Sequence, residues 1–443
     1  MNNFKSEATP IDFNTVKRII EATGSTCIGK STIRELVKLV NEIEKATGEK
    51  YIRMEMGVPG IPTPQIGIDA ETEAIKKGVN SKYPMLEGLP ELKLEISRFV
   101  KLFLNIDVDQ YGCIPTVGST QGSIACFITL DNMCEERDTV LFLDPGFPVH
   151  KQQRDIFGKK SETFDVYEYR GEKLRDKLES VLAKGNIHSI LYSNPNNPSW
   201  ICFNEKELKI IGDLANKYDV IILEDLAYFG MDFRTDYSKP GVPPYQPTVA
   251  NYTDNVIHLI SGSKMFSYPG PRIGMMVMSN KLQHLKKPAL KRFYKTDTFG
   301  YSMIYGTIYS LSAGASLSGQ YGLTAILKAV NDGNYNFKDD VIEYGRKAAI
   351  MKKMFTENGF SIVYDKDDGE PIADGFYFTI SYPGMNGVDL VEKLLYYGIS
   401  AISLATARSE RTEGLRVCVS LVSRSQFPDL ENRLKIFSEH YPL

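Results

Sequence analysis

The chain has 443 residues, 24% of them charged, with 52 Lys and Arg against 55 Asp and Glu for a formal net charge of -3. At roughly 150 residues per domain, that length holds two or three packed units, each able to bury a core. The near-neutral balance argues against a protein built to coat nucleic acid or an anionic membrane, either of which asks for a basic surface. Six cysteines (Cys27, Cys113, Cys126, Cys134, Cys202 and Cys418) are too sparse for a disulfide scaffold. None forms a CxxC pair, and no Cys/His cluster has zinc-site spacing, so scattered core thiols in a reducing cytoplasm are expected. The start, Met1-Asn-Asn-Phe-Lys-Ser-Glu7, lacks the apolar run of a signal peptide. Apolar stretches elsewhere fall well short of the ~20 residues that span a bilayer.

In chain order, residues 31–46 repeat apolar side chains at helical spacing, with Ile33, Leu36, Val37, Val40 and Ile43 on one face. Ser31 and Thr32 are the expected caps, and Glu35 supplies an acid in the first turn. Just upstream, Gly24-Ser-Thr-Cys-Ile-Gly29-Lys30-Ser31 fits the phosphate-cradling pattern GxxxxGK[ST]. That mechanism needs a buried strand before the loop. Residues 13–22 instead read as an amphipathic helix bearing Lys17, Arg18 and Glu21, so a turn between two helices is expected. The stretch 57–64 is irregular, because its glycines and prolines exclude regular structure. From about 115 to 280, apolar strands (139–144, 188–193, 219–225, 255–261 and 273–279) alternate with helical patterns such as 205–217. This alternation implies an α/β domain whose mostly parallel sheet is covered by helices on both faces. A long helical pattern at 339–358, then strand-like 376–380 and 415–420, marks a second, smaller α+β domain. The division expected is an N-terminal segment 1–60 joining the small domain, a large domain 61–335 and a small C-terminal domain 336–443.

Ligands of such sheets sit beyond the carboxyl ends of the strands, and four polar clusters fall there. Asn194-Pro-Asn-Asn197-Pro198 follows one strand, and its prolines suggest an extended backbone. Asp225 ends the next strand, with Tyr228 three residues on. Ser261-Gly-Ser263-Lys264, then Gly270 and Arg272, follow a third. Earlier, Gly118-Ser119-Thr120-Gln121-Gly122 can open a helix whose free N–H groups hold an anion. Any one of these is ordinary loop chemistry; their order on one scaffold is not.

The set resembles the class I/II aminotransferases of the aspartate aminotransferase superfamily, fold-type I enzymes that use pyridoxal 5′-phosphate (PLP). The likeness runs from about Gly57 to Arg416 and is most specific over 261–272. The resemblance implies that Lys264 forms the Schiff base with PLP and that Asp225 pairs with the pyridine nitrogen. Tyr228 and Asn197 would donate to the phenolic oxygen. Ser261, Ser263 and Arg272 would hold the phosphate, helped by Ser119 and Thr120. Phe147 matches the aromatic that stacks on the ring, and His150 a partner of Asp225. Tyr83 resembles the tyrosine that reaches the neighbouring subunit's phosphate, which implies a homodimer with shared active sites. Arg416 matches the arginine that grips the substrate α-carboxylate, with Gly57 beside it. The implied partners are an L-α-amino acid and a 2-oxo acid, with no nucleic acid and no membrane.

The chemistry accounts for the residue types. PLP is an electron sink once its ring nitrogen is protonated, and a buried carboxylate raises that nitrogen's pKa. A neutral lysine can attack an aldehyde and then move a proton as general base and acid. An arginine grips a carboxylate in a fork that lysine cannot copy. Two departures from the family pattern stand out. Ser199-Trp200, holding the only tryptophan, replaces the usual small residue and glycine after the Asn-Pro run, and the loop 405–414 lacks the expected Pro-Gly turn. For a dicarboxylic donor, Arg53, Arg292, Arg408 and Arg411 are the candidate second cations. The aromatic stretch 293–337 is expected to line the pocket or a subunit interface. A β-lyase or decarboxylase would keep Lys264, Asp225 and Arg272, and a P-loop nucleotide hydrolase would use Gly24–Ser31. A transcription regulator would need a DNA-binding module that the roughly 50 residues before Gly57 do not suggest.

Overall fold

The computed structural model of the chain describes residues 9–442, so the amino-terminal stretch 1–7 read above lies outside the described residues. Helix α1 (Phe13–Ala22) is followed by α2 (Ile33–Thr47). Thr32 caps α2 as expected: its hydroxyl accepts the Glu35 N–H at 3.3 Å, and the Glu35 carboxylate accepts the Thr32 N–H at 2.7 Å. Leu36, Leu39, Val40 and Ile43 form the buried face. Between the helices, the phosphate-loop motif is a short 3-10 turn, Ile28–Lys30. Gly29 is pressed so close to Val388 that a Cβ would fall 2.0 Å from its carbonyl oxygen, and Lys30 is exposed. A helix stands where a phosphate loop needs a strand, so the motif is a turn.

A short strand β1 (Ile52–Arg53) pairs in parallel with Ile399–Ser400 far along the chain. Helices α3 (Gln65–Lys76) and α4 (Pro90–Leu104) lead into a seven-stranded sheet. Its strands are β2 (Cys113–Thr116), β3 (Thr139–Asp144), β4 (Lys160–Asp165), β5 (Ile187–Ser193), β6 (Ile221–Leu226), β7 (Val256–Ser261) and β8 (Gly274–Met278). They lie in the order β2-β8-β7-β6-β5-β3-β4. Helices α5 (Gly118–Asp131), α6 (Pro148–Ile156), α7 (Lys173–Leu182) and α8 (Glu205–Tyr218) connect them.

The unbroken apolar strands of the sequence have their explanation in the core. Leu141, Leu143, Ile190, Ile222, Ile260, Met275 and Val277 belong to one buried cluster. Their alternating neighbours Val140, Phe142, Leu191, Leu223, Leu259, Met276 and Met278 belong to another. With a side-chain period of two, both faces of the sheet are therefore buried. Strand β8 departs from the expected direction, running antiparallel to both β2 and β7. Only the twelve residues 262–273 join it to β7, the bare minimum for a parallel crossover, and they hold a helix of just four residues rather than one long enough to span the sheet. Strand β4 (KSETFD) escaped the sequence reading because it is an edge strand with half-exposed polar residues.

Beyond the sheet come helices Leu317–Asn331 and Phe337–Glu357, then a four-stranded antiparallel sheet. Its strands are 361–362, 377–381, 402–403 and 415–418, and the helix Phe427–His440 follows. The architecture is α/β, a mostly parallel sheet flanked by helices, accompanied by a smaller α+β unit. Among the described residues, no helix is long and apolar enough to cross a membrane.

Candidate active site

Sheet register brings the strand-end clusters to one edge. Ser193 stands opposite Asp225, Leu226 opposite Ile260, and both Ser261 and Thr116 opposite Gly274. The loops after β2, β5, β6 and β7 therefore open on the same side. Gly274 is required by this convergence, since a Cβ there would lie 2.8 Å from the Ser119 nitrogen.

Asp225 is buried, with one carboxylate oxygen 3.1 Å from the Ser193 hydroxyl and the other 3.1 Å from the Ala227 N–H. Burial pushes its pKa from the ordinary 3.8 up to about 6, with the two hydrogen bonds pulling the other way. The Asn-Pro run contains two cis peptides, Asn194-Pro195 and Asn197-Pro198, rather than the continuous extended backbone expected. Asn194 and Asn196 are structural: the Asn194 side chain accepts the Phe203 N–H, and that of Asn196 accepts from Ser199 and donates to the Pro145 carbonyl. Asn197 alone turns to the site, its Oδ1 3.2 Å from Arg416 Nη1.

Lys264 lies in a four-residue helix, Gly262–Met265, started by the Ser261 side chain accepting the Ser263 N–H. Its ammonium donates to the Gly57 carbonyl and lies 5.5 Å from the centre of the Phe376 ring. Burial pulls its pKa down to about 8, helped by the positive charges of Arg416 and Arg272 and opposed by Cys418. Arg416 is buried, its Nη2 donating to the Glu55 carbonyl at 2.6 Å, while its Nε has no partner. Gly57 is held between these groups, and a Cβ on it would fall 2.0 Å from Tyr377 Oη.

At the start of α5, Val117 gives no side-chain cap. The Arg272 guanidinium lies against this helix start, since a Cβ on Gly118 would come 2.6 Å from its Nη2. Gly118 and Arg272 both have positive φ, +66° and +56°. A pocket of about 380 Å³ opens here, lined by Val117, Thr120, Gln121, Gln153, Arg272 and Ser312. A fixed guanidinium beside uncapped N–H groups is an anion cradle.

The three cations share one property. Arg272 donates to the Pro269 carbonyl, Lys264 to the Gly57 carbonyl, and Arg416 to the Glu55 carbonyl and the Asn197 amide. None has a carboxylate partner among the described residues. The four arginines considered for a second substrate carboxylate are all paired instead: Arg53 with Glu55, Arg292 with Glu135, Arg408 with Asp155 and Arg411 with Glu168.

Phe147 stands at the start of α6, edge-on to His150 with ring centres 5.4 Å apart. His150 is buried with Nδ1 unpartnered, and burial lowers its pKa to about 3. No hydrogen bond joins it to Asp225 among the described residues. Tyr83 is 93% exposed in the single chain and is not part of this cluster. Of the aromatic stretch, Phe293, Tyr301, Tyr305 and Tyr309 are also exposed.

Two site residues escaped the sequence reading. Tyr377 Oη lies 2.8 Å from Tyr228 Oη, and its ring lies 4.6 Å from the Arg416 guanidinium. Cys418 is buried beside Lys264. The signal lay in strand pairing: Tyr377 stands opposite Cys418 and Thr379 opposite Arg416, so period two puts all four on one face.

A mostly parallel sheet carrying an acid, a lysine and an arginine at its strand ends is the arrangement of fold-type I PLP enzymes. The family model for aminotransferase class I and II matches residues 49–434, and the chain belongs to that family. It is 25% identical over 416 residues to a probable aspartate aminotransferase of Methanocaldococcus jannaschii, covering 93% of this chain and 97% of that one. It is 24% identical over 352 residues to the glutamate-pyruvate aminotransferase AlaC of Escherichia coli, covering 79% and 77%. The fold matches a solved alanine aminotransferase from Pyrococcus furiosus with a TM-score of 0.74 at 20% identity, covering 93% and 98%. An aspartate aminotransferase from Thermotoga maritima gives 0.73 at 17% identity, covering 95% and 99%. The protein is an aminotransferase, and its family is PLP-dependent.

Proposed function

We propose that Lys264 is the residue that would hold PLP and that its amine would move the proton at the substrate Cα as the amino group passes between an L-α-amino acid and a 2-oxo acid. The carrying observation is that Lys264, Arg272 and Arg416 converge with carbonyl or amide oxygens as partners and no carboxylate, a charge pattern that calls for anionic ligands. The donors fit the cofactor. Arg272, Ser261, Ser263, Ser119 and Thr120 would hold the phosphate at the start of α5. Asp225 would pair with the ring nitrogen, Tyr228 and Asn197 would donate to the phenolic oxygen, and Phe147 would cover the ring face. When bound, PLP supplies the electron sink that stabilises negative charge at Cα. Arg416 grips the substrate carboxylate beside Gly57, its unpartnered Nε leaving donor capacity for it.

Asp225 and Arg416 are buried and Lys264 is partly so, which limits the access of water to the proton that Lys264 would move. A homodimer is supported by Tyr83, which is free to reach a neighbouring site, and by the exposed Tyr301, Tyr305 and Tyr309. The pairing of Ile52–Arg53 with Ile399–Ser400 supports assigning residues 1–60 and 336–443 to one small domain and 61–335 to the large one. Six unpaired cysteines fit a cytoplasmic address.

The test is borohydride reduction of the purified yellow protein followed by peptide mapping, with amino transfer to a 2-oxo acid assayed alongside. A label on Lys264 and release of a new 2-oxo acid from the amino donor are expected. A label elsewhere overturns the assignment of Lys264. Release of ammonia or carbon dioxide without amino transfer overturns the transaminase reading in favour of a lyase or decarboxylase.

A further inference from the structure

Tyr228 and Tyr377 are both buried, and their hydroxyls face each other at 2.8 Å. Each phenol has one proton, so only one of the two donates across this contact. On the site reading above, Tyr228 spends its proton on the cofactor's phenolic oxygen, and the contact must then be filled from Tyr377. The backbone holds Tyr377 for this. It opens the strand 377–381 opposite Cys418, and its ring is backed by the Arg416 guanidinium. Gly57 closes against its hydroxyl so tightly that no side chain fits between them. Trp200 presents an edge to both rings, with centres 5.4 Å from Tyr228 and 6.0 Å from Tyr377.

We propose that Tyr377 is a positioning residue that acts through Tyr228: it donates to the Tyr228 hydroxyl oxygen and so aims and strengthens that group's donation to the cofactor's phenolic oxygen. The inference rests on the placement of PLP over Asp225 and Tyr228. A hydroxyl that accepts one hydrogen bond is polarised into a better donor for the next. Tyr377 thereby links the cofactor's phenolic oxygen to the arginine that binds the substrate carboxylate, since its ring lies on Arg416.

The test is a pH titration of the visible absorption band of the PLP-loaded enzyme, as wild type, Tyr377→Phe, Tyr228→Phe and the double variant. Donation to the phenolic oxygen favours its ionised form, so losing a donor moves the midpoint upward. Tyr377→Phe is expected to raise it by about half a unit, and Tyr228→Phe by more. The double variant should match Tyr228→Phe alone, because Tyr377 acts only through Tyr228. Trp200→Phe withdraws the indole edge but keeps both hydroxyls, and it should shift the midpoint less than Tyr377→Phe. A Tyr377→Phe midpoint equal to wild type, additive shifts in the double variant, or a larger shift for Trp200→Phe each overturn the proposal while leaving the site reading intact. A midpoint that Tyr228→Phe does not move, or a band absent from wild type, overturns both.

Discussion

Asp225→Asn separates stability from function at one atom. In the protein without cofactor, burial raises the Asp225 pKa from 3.8 to about 6. The folded state therefore holds this proton more tightly than the unfolded chain does. Stability from this group is complete below pH 4, falls as pH rises from about 4 to 6, and stays lost above. Keeping this carboxylate charged in the folded state at neutral pH therefore costs about 3 kcal/mol. Asparagine keeps the shape: its Oδ1 can accept the Ala227 N–H, and its amide can donate to a rotated Ser193 hydroxyl. The cofactor-free variant should then exceed wild type by up to about 3 kcal/mol at pH 7.5, and by near zero at pH 4. Urea denaturation of both cofactor-free proteins at the two pH values reads this directly. On the proposed placement of Asp225 at the ring nitrogen, transamination should fall by about 10²-fold or more, because that nitrogen would lose its counter-charge. A variant no more stable than wild type at pH 7.5, or equally more stable at both pH values, refutes the reasoning that burial of charge at Asp225 is what the cofactor relieves.

Three further outcomes are expected. Arg416→Lys keeps the charge but loses the fork that reaches Asn197 and Glu55, so KM for the amino donor should rise roughly 10- to 100-fold with a smaller change in kcat; an unchanged KM in steady-state assays would count against carboxylate binding there. Because the Lys264 pKa is lowered to about 8, capture of added PLP by the cofactor-free protein should speed up as pH rises through 8 and level off beyond it. A rise centred near the ordinary lysine value of 10.5 would mean the amine is not desolvated. Trp200→Gly should destabilise the fold in urea even though Trp200 has a φ of +67°: relief of left-handed strain returns about 1–2 kcal/mol, while emptying a fully buried indole site costs about 3–5 kcal/mol.

The sequence carried the strands and the chemistry wherever a residue's role depends on its own neighbours. Both faces of β3, β5, β6 and β7 are buried, so each wrote itself as a continuous apolar run, and the residues just past their ends are the polar ones that meet. Strand β4 has no such signal, because an edge strand needs burial on only part of its length. The direction of β8 depended on the length of a connection rather than on composition. Tyr377 was hidden for a different reason: its partners Tyr228, Gly57 and Arg416 are 149, 320 and 39 residues away in sequence; strand register in the smaller sheet brings only Arg416 to it, and Tyr228 and Gly57 arrive from loops outside that sheet. Trp200 was visible as an oddity, but its reason lies at Gly375. A Cβ at 375 would fall 2.0 Å from the indole, so that glycine is what admits the tryptophan against Tyr228 and Tyr377.

The net charge of -3 gives no hint of anionic ligands, yet the way charges are paired does. An exposed arginine can satisfy itself with a nearby acid at little cost or gain; Arg292 and Arg408 do so, and the half-buried Arg411 pairs with Glu168. Arg416 is almost fully buried, where a carboxylate would be its strongest available partner. The fold offers it only a carbonyl and an amide, and leaves Nε with nothing. Arg272 is exposed, but it too meets a carbonyl rather than an acid, beside the uncapped start of α5. An acid supplied at Arg416 would pair with a buried charge and compete with any anion drawn there. The same logic bears on the substrate: a distal carboxylate calling on Arg53, Arg292, Arg408 or Arg411 would first have to displace Glu55, Glu135, Asp155 or Glu168.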